Sequence, residues 1–310
     1  MNATLNHGRR KFSSDFVRTP RAEEAFKLIE LLVVVATLLM LFALLLPAFA
    51  GAKAGSLRAQ CASQMKRLGV GFRLFENDHN DMFPSAAYIG APNGVLAWDT
   101  YIHRYIGGRA SDTDLMSGVL FSAEAPVIER CPADTLPSIG WGVEFARRSY
   151  AMPVAGSWGI GWDRDAVNNR YPLPPPNFGP GISWRDQGIN GDPDWDAKSF
   201  RTSVAKDPGG TLLLVEQPAN DNVAGNIWPT FSQGPVTTFP SDVTFQMNPD
   251  APSPSTTNNI NYGAYVYRVH GGRFNYLFID SHVEPLKIEQ TIGTGTTNSP
   301  KGMWTLPAGD

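Results

Sequence analysis

Three side chains in the stretch HGGRFNYLFIDSHVEPL have the types and spacing for metal chemistry: His270, Asp280 and His282. Two imidazoles and one carboxylate form the facial donor set of non-haem divalent-metal sites. Yet FNYLFIDSHVEPLKI, residues 274–288, is also two apolar runs on either side of Asp280-Ser281, the pattern of a β-hairpin. A turn there breaks the alternation that would put Asp280 and His282 on one side. The favoured reading is a turn aspartate with structural histidines. His7, His79 and His103 are scattered elsewhere. The chain has no Gly-x-Ser-x-Gly elbow, no phosphate-binding Gly-rich loop ending in Gly-Lys-Ser/Thr and no His-Glu-x-x-His motif. ENDHND, residues 76–81, offers oxygen donors for calcium but lacks EF-hand spacing, and reads as a polar helix end. Trp141, Trp158, Trp162, Trp184 and Trp195 lie in Gly- and Pro-rich stretches, where they either stack on sugars or anchor loops; packing is the favoured role. No catalytic constellation emerges, so the chain reads as a non-enzyme with no metal or cofactor.

Glu30 poses a different question. It stands near the start of AFKLIELLVVVATLLMLFALLLPAFA, residues 25–50, and Pro47 stands near the end. Residues 31–50 carry no charge and match the roughly 20 apolar residues that cross a bilayer. A signal-peptide core is shorter, about 7–15 residues. The preceding leader, residues 1–25, holds five basic side chains against three acidic ones, a net charge of +2. Basic residues before a first membrane helix keep that end cytoplasmic, although Lys53, Arg58, Lys66 and Arg67 beyond the other end offset the bias in part. A carboxylate at membrane depth is costly; it either snorkels to the interface or has a cationic partner.

The helix continues past the bilayer. Leu57, Cys61, Met65, Leu68, Phe72 and Phe75 recur at spacings of three and four, an amphipathic stripe. Polar ENDHND and Pro84 stop it. The organisation expected is a leader over 1–25, a membrane helix over 26–50, an amphipathic continuation over 51–83 and an exported head over 84–310. From Phe26 to Asp78 the helix is about 80 Å long at about 1.5 Å per residue. Thirty glycines and 25 prolines make the head loop-rich. GTLLLVEQP (210–218), AYVYRV (264–269) and the 274–288 hairpin are the strand candidates. The fold class is α+β, a long helix on an antiparallel sheet. The formal charge of −3, or −5 without the leader, gives no argument for nucleic acid as a partner.

FKLIELLVVVATLLMLFALLLPAFA resembles the N-terminal segment of type IV prepilins and type II secretion pseudopilins. The resemblance implies cleavage by a prepilin peptidase between Ala25 and Phe26, methylation of the new Phe26 amine, and Glu30 as the fifth mature residue. It also implies that Glu30 pairs with the Phe26 amine of a neighbouring subunit during filament assembly. Ala25 stands where glycine is usual, and Lys27 where threonine is. The C-terminal half resembles large-headed pilin-like proteins with a signature of His, nine residues, then Asp-Gly: here His270, Asp280 and Ser281 in place of the glycine. CPAD, RRSYAMP, DPGGTLLLVEQP and KGMWTLPAGD are similar to further elements of such proteins.

An exported head lies in an oxidising compartment. Its two cysteines, Cys61 on the helix stripe and Cys131 in ERCPAD, allow one intramolecular bridge. Closing so long a loop stabilises by about 4 kcal/mol in the chain-entropy model; two buried free thiols are the alternative. The function expected is a structural subunit of a type II secretion pseudopilus or type IV pilus-like filament. Its partners would be the membrane, a prepilin peptidase and other pilin-like subunits. It would cross the bacterial inner membrane once, with a cytoplasmic N-terminus and a periplasmic or extracellular head. A membrane-tethered exported binding domain, for carbohydrate among other ligands, is the alternative.

Overall fold

A computed structural model describes residues 27–90, 94–135, 138, 142–153, 183–186, 201–227, 229–237, 244–248, 263–306 and 309. The chain divides into two compact units, Met1–Phe49 and Ala50–Asp310. The elements in chain order are α1 (Leu28–Asp78), β1 (Ala87–Gly90), β2 (Gly94–Ala97), α2 (Trp98–Ile102), α3 (Asp112–Met116), β3 (Tyr150–Pro153) and β4 (Ser183–Asp186). They continue with β5 (Leu212–Glu216), β6 (Phe231–Ser232), β7 (Gly234–Val236), β8 (Phe245–Met247), α4 (Gly263–Val269), β9 (Phe274–Phe278) and β10 (Val283–Leu286). The fold is α+β.

In the first unit the described residues are almost wholly helical. Side chains from Leu28 to Leu46 are exposed all round the helix. A helix apolar on every face is one whose solvent is hydrocarbon or protein. α1 is the one helix among the described residues long and apolar enough to cross a membrane.

The second unit is built on the rest of α1. Cys61, Met65, Leu68, Phe72 and Phe75 are buried, and Leu57 packs on the same core. Burying each large side chain contributes about 1.5–3 kcal/mol. Two glycines let the helix lie close to its neighbours. A Cβ at Gly71 would come within 2.4 Å of the Ile106 Cγ2, and one at Gly69 within 2.9 Å of the Leu277 Cδ1. Phe72 stacks on Trp98 with ring centroids 5.6 Å apart.

Among the described residues the main sheet has five strands in the order β10-β9-β5-β3-β6. Its pairs are antiparallel except β3 with β6. β5 (LLLVE) and β9 (FNYLF) are buried at every position, as continuous runs rather than alternating ones. A smaller sheet runs β2-β1-β4, and β7 pairs with β8.

Two expectations need correction. AYVYRV, expected as a strand over 264–269, lies in the helix α4. Gly263 and Val266 are its buried positions, three apart, and the buried His270 just past its end continues that face four residues on; the helical period outweighs the β preference of Tyr and Val. The amphipathic continuation stops at Asp78 instead of reaching 83. Asn80 and Asp81 adopt positive φ, 56° and 59°, where short polar side chains are tolerated and a helix cannot continue.

Candidate functional site

The motif residues separate into two places. His270, at the end of α4, is fully buried. Its backbone carbonyl accepts from the Arg58 guanidinium of α1 at 2.7 Å. Its ring Nδ1 lies 3.1 Å from the Glu216 carboxylate at the end of β5. Glu216 also accepts from the backbone amide of Asn275 (2.8 Å) and from its side-chain amide (2.9 Å). With Glu216 an acceptor, the imidazole carries its proton on Nδ1, and Nε2 faces the Cys131 sulfur at 3.6 Å. Cys131 is joined to Cys61 by a disulfide. The bridge ties α1 to the loop before β3 over 70 residues of chain, and a closure of that length stabilises by about 4 kcal/mol in the chain-entropy model.

Asp280 lies in the β9–β10 turn with Ser281, as a hairpin reading requires. His282 donates its backbone amide to the Asp280 carboxylate at 3.0 Å and sets its ring nitrogen 2.6 Å away. Partial burial pushes the Asp280 carboxyl up, but these hydrogen bonds outweigh it and hold it below the usual carboxylate range. Ser281 takes the left-handed conformation, φ 73°, that a glycine adopts at no steric cost. Arg73 of α1 donates to the Ser281 hydroxyl (3.1 Å) and to the Ile279 carbonyl, fixing the strained turn against the helix. His270, Asp280 and His282 are thus not one donor set.

The sequence islands meet around this core. Asp134 of CPAD receives both Arg147 nitrogens of RRSYAMP at 2.8 Å, and the Ser149 hydroxyl at 2.7 Å. Cys131 donates its amide to the same hydroxyl. The second arginine, Arg148, is wholly buried and pairs with Asp99 at 2.5 Å. It also donates to the Asn222 side chain and the Asn226 carbonyl, both at 2.9 Å. The other Asp99 oxygen accepts the Gly225 amide at 2.7 Å. Beside them Glu129 is buried, and neither of its carboxylate oxygens has a hydrogen-bond partner among the described residues. Burial, and then the charge of Asp99, push its carboxyl far up despite Arg148. Glu129 is therefore a buried carboxyl whose charged form is disfavoured, beside an ion pair.

In ENDHND two carboxylates are taken by side-chain partners: Glu76 by Arg73 at 2.8 Å and Asp78 by the Tyr105 hydroxyl at 2.9 Å. Burial pushes the Glu76 carboxyl up to about 7 against the opposing pull of Arg73. The folded chain then holds a proton that the unfolded chain releases above about pH 4.5, so stability falls as pH rises from there through about 7. Glu76→Gln is expected to flatten the melting temperature across that window. Relative to wild type it should gain on the order of 2 kcal/mol at pH 8, measured by thermal unfolding in detergent at a series of pH values.

Glu30 is exposed, and its carboxylate accepts the backbone amide of Lys27 at 3.2 Å, a capping contact at the start of α1. Ala25 and Phe26 lie outside the described residues, as do Trp141, Trp158, Trp162, Trp195 and the side chain of Trp184. Sequence reasoning missed Glu216, Asn275, Asp99, Glu129 and the paired arginines. The signal present was a carboxylate ending an apolar run in LLLVE and two adjacent arginines before SYAMP; a charge embedded in a buried strand is kept when it has a partner. No protein-family model, curated protein or solved structure matches the chain.

Proposed function

We propose that the chain is a membrane-anchored structural subunit of the pilin-like class, serving a type II secretion pseudopilus or a type IV pilus-like filament. A prepilin peptidase removes residues 1–25, the N-terminus faces the cytoplasm before the cut, and the head stands on the far side of the bacterial inner membrane. The observation that carries this reading is the change of character along α1. Its first part presents apolar side chains on every face with a carboxylate at the start, and its later part presents one buried stripe to a head. A hydrocarbon-facing segment that begins at Glu30 suits helices packed side by side in a filament.

A second reading, a tethered binding domain, draws on the Glu30 contact with the Lys27 amide. That contact gives the carboxylate a role without any neighbour. In both readings the head is non-catalytic.

The test begins with the N-terminus of membrane-extracted protein. Sequencing is expected to start at Phe26, with the amine methylated. A terminus at Met1, or a cut near Ala50, would remove the pilin-like reading.

A further inference from the structure

A disulfide needs no histidine beside it, yet here a buried imidazole is oriented at the bridge by a buried carboxylate. The side chains of Cys61, Cys131, His270 and Glu216 put one donor atom each within 4.8 Å of one another, and all four residues are buried. They come from four places in the fold: α1, the loop before β3, the end of α4 and the end of β5. The Glu216 carboxylate accepts from Nδ1, which aims Nε2 at sulfur. Among the described residues Nε2 has no nitrogen or oxygen partner, only Cys131 Sγ at 3.6 Å.

That distance has a meaning in coordination chemistry. Around a tetrahedral zinc ion, with Zn–S about 2.3 Å and Zn–N about 2.0–2.1 Å, an imidazole nitrogen and a thiolate sulfur stand about 3.6 Å apart. Two thiolates on the same ion stand about 3.8 Å apart, so the sulfurs need only separate once the bond between them is broken. The Cα atoms of Cys61 and Cys131, 4.9 Å apart, leave room for a short side-chain rotation. A carboxylate that receives the far N–H of a histidine is the usual outer partner of a metal-bound imidazole.

We propose that the bridge masks a metal site for a thiophilic divalent ion of the zinc class, ligated by Cys61, Cys131 and His270, with Glu216 orienting the imidazole. A dithiol reductant supplies two electrons and two protons to the Cys61–Cys131 bond and is itself oxidised to a disulfide. The ion then displaces the two thiol protons and binds both thiolates and Nε2, keeping one of its own waters as the fourth ligand. A disulfide oxidant takes two electrons back from the thiolates and two protons from solvent, is itself reduced to a dithiol, and the reformed Cys61–Cys131 bond releases the ion.

The experiment uses the full chain in detergent micelles, reduced without oxygen by a phosphine, which does not compete for the metal as a thiol would. Cobalt(II) is the probe. The reduced chain is expected to take up one cobalt with the visible bands of tetrahedral coordination and a thiolate-to-cobalt band in the near ultraviolet, and zinc should bleach both. The oxidised chain should show neither. Glu216→Gln should weaken cobalt binding about 10–100-fold while keeping the thiolate band, and His270→Ala should abolish the tetrahedral spectrum. Circular dichroism runs in parallel, because a ligand that binds only the folded chain restores folding. A folded, reduced chain without tetrahedral cobalt overturns the proposal. So does a spectrum and affinity unchanged in both variants. So does a reduced chain that unfolds and that zinc fails to refold.

Discussion

Arg148→Ala is expected to destabilise the head by about 3–5 kcal/mol, the cost of removing one partner from a buried ion pair. Both side chains of the Arg148–Asp99 pair are fully buried. The Arg148 charge also opposes the upward push that burial and Asp99 exert on the neighbouring Glu129 carboxyl. Its loss leaves Asp99 without its ion-pair partner in a dry site, and removes the guanidinium donors to the Asn222 side-chain oxygen and the Asn226 carbonyl as well. The truncation also uncovers the face of Trp98, 5.4 Å below the guanidinium. Chemical denaturation in detergent measures the effect, and Asp99→Asn in the same background should recover part of it, since the stranded charge is then gone. A loss under 1 kcal/mol, or no coupling between the two substitutions, would show that the pair is not what holds α2 to the 147–149 segment.

Glu30→Gln is expected to leave membrane insertion and cleavage unchanged and to exclude the protein from filaments. The substitution keeps the shape and removes the charge. In the filament reading a neighbour's Phe26 ammonium then loses its counter-ion in a poor dielectric, at a cost on the order of 3–5 kcal/mol. As a helix cap alone, Glu30 loses only a charge-assisted contact with the Lys27 amide; a glutamine oxygen accepts the same bond, so the change is a few tenths of a kcal/mol. The ratio of sheared, pelletable protein to membrane-resident protein separates the two. Equal ratios in mutant and wild type transfer the argument to the tethered binding domain.

What was legible in the sequence was local. The α1 stripe could be read because a 3.6-residue period repeats through Cys61, Met65, Leu68, Phe72 and Phe75, and each of these is buried. The β9–β10 hairpin could be read because Asp280-Ser281 interrupts two apolar runs. α4 was misread because Tyr265 and Tyr267 alternate with Val266 as a strand's residues would, while the burial that decides between helix and strand comes from tertiary packing. β6 to β8 hold two or three residues each, too few for any period. The His270 site was half legible. Its histidine and both cysteines stand out in the sequence, but Glu216 reaches the imidazole across 54 residues of chain, and no spacing rule records such a meeting. The Asp99–Arg148 pair was invisible for the same reason.

The rim of the main sheet bears on how copies of this chain can and cannot associate. β10 is its outermost strand among the described residues, and an unpaired outer strand is a template on which another chain can grow a ladder. Pro285 in the middle of β10 has no amide hydrogen to offer, and its carbonyl is taken by the Arg273 guanidinium at 3.0 Å. Glu284, exposed beside it, adds a charge that repels its own copy. At the opposite rim β6 spans only Phe231–Ser232. Growth of this sheet from molecule to molecule, the route to amyloid-like aggregation, is blocked along β10 by proline chemistry and kept short along β6. Copies of this chain can therefore touch without their main sheets fusing.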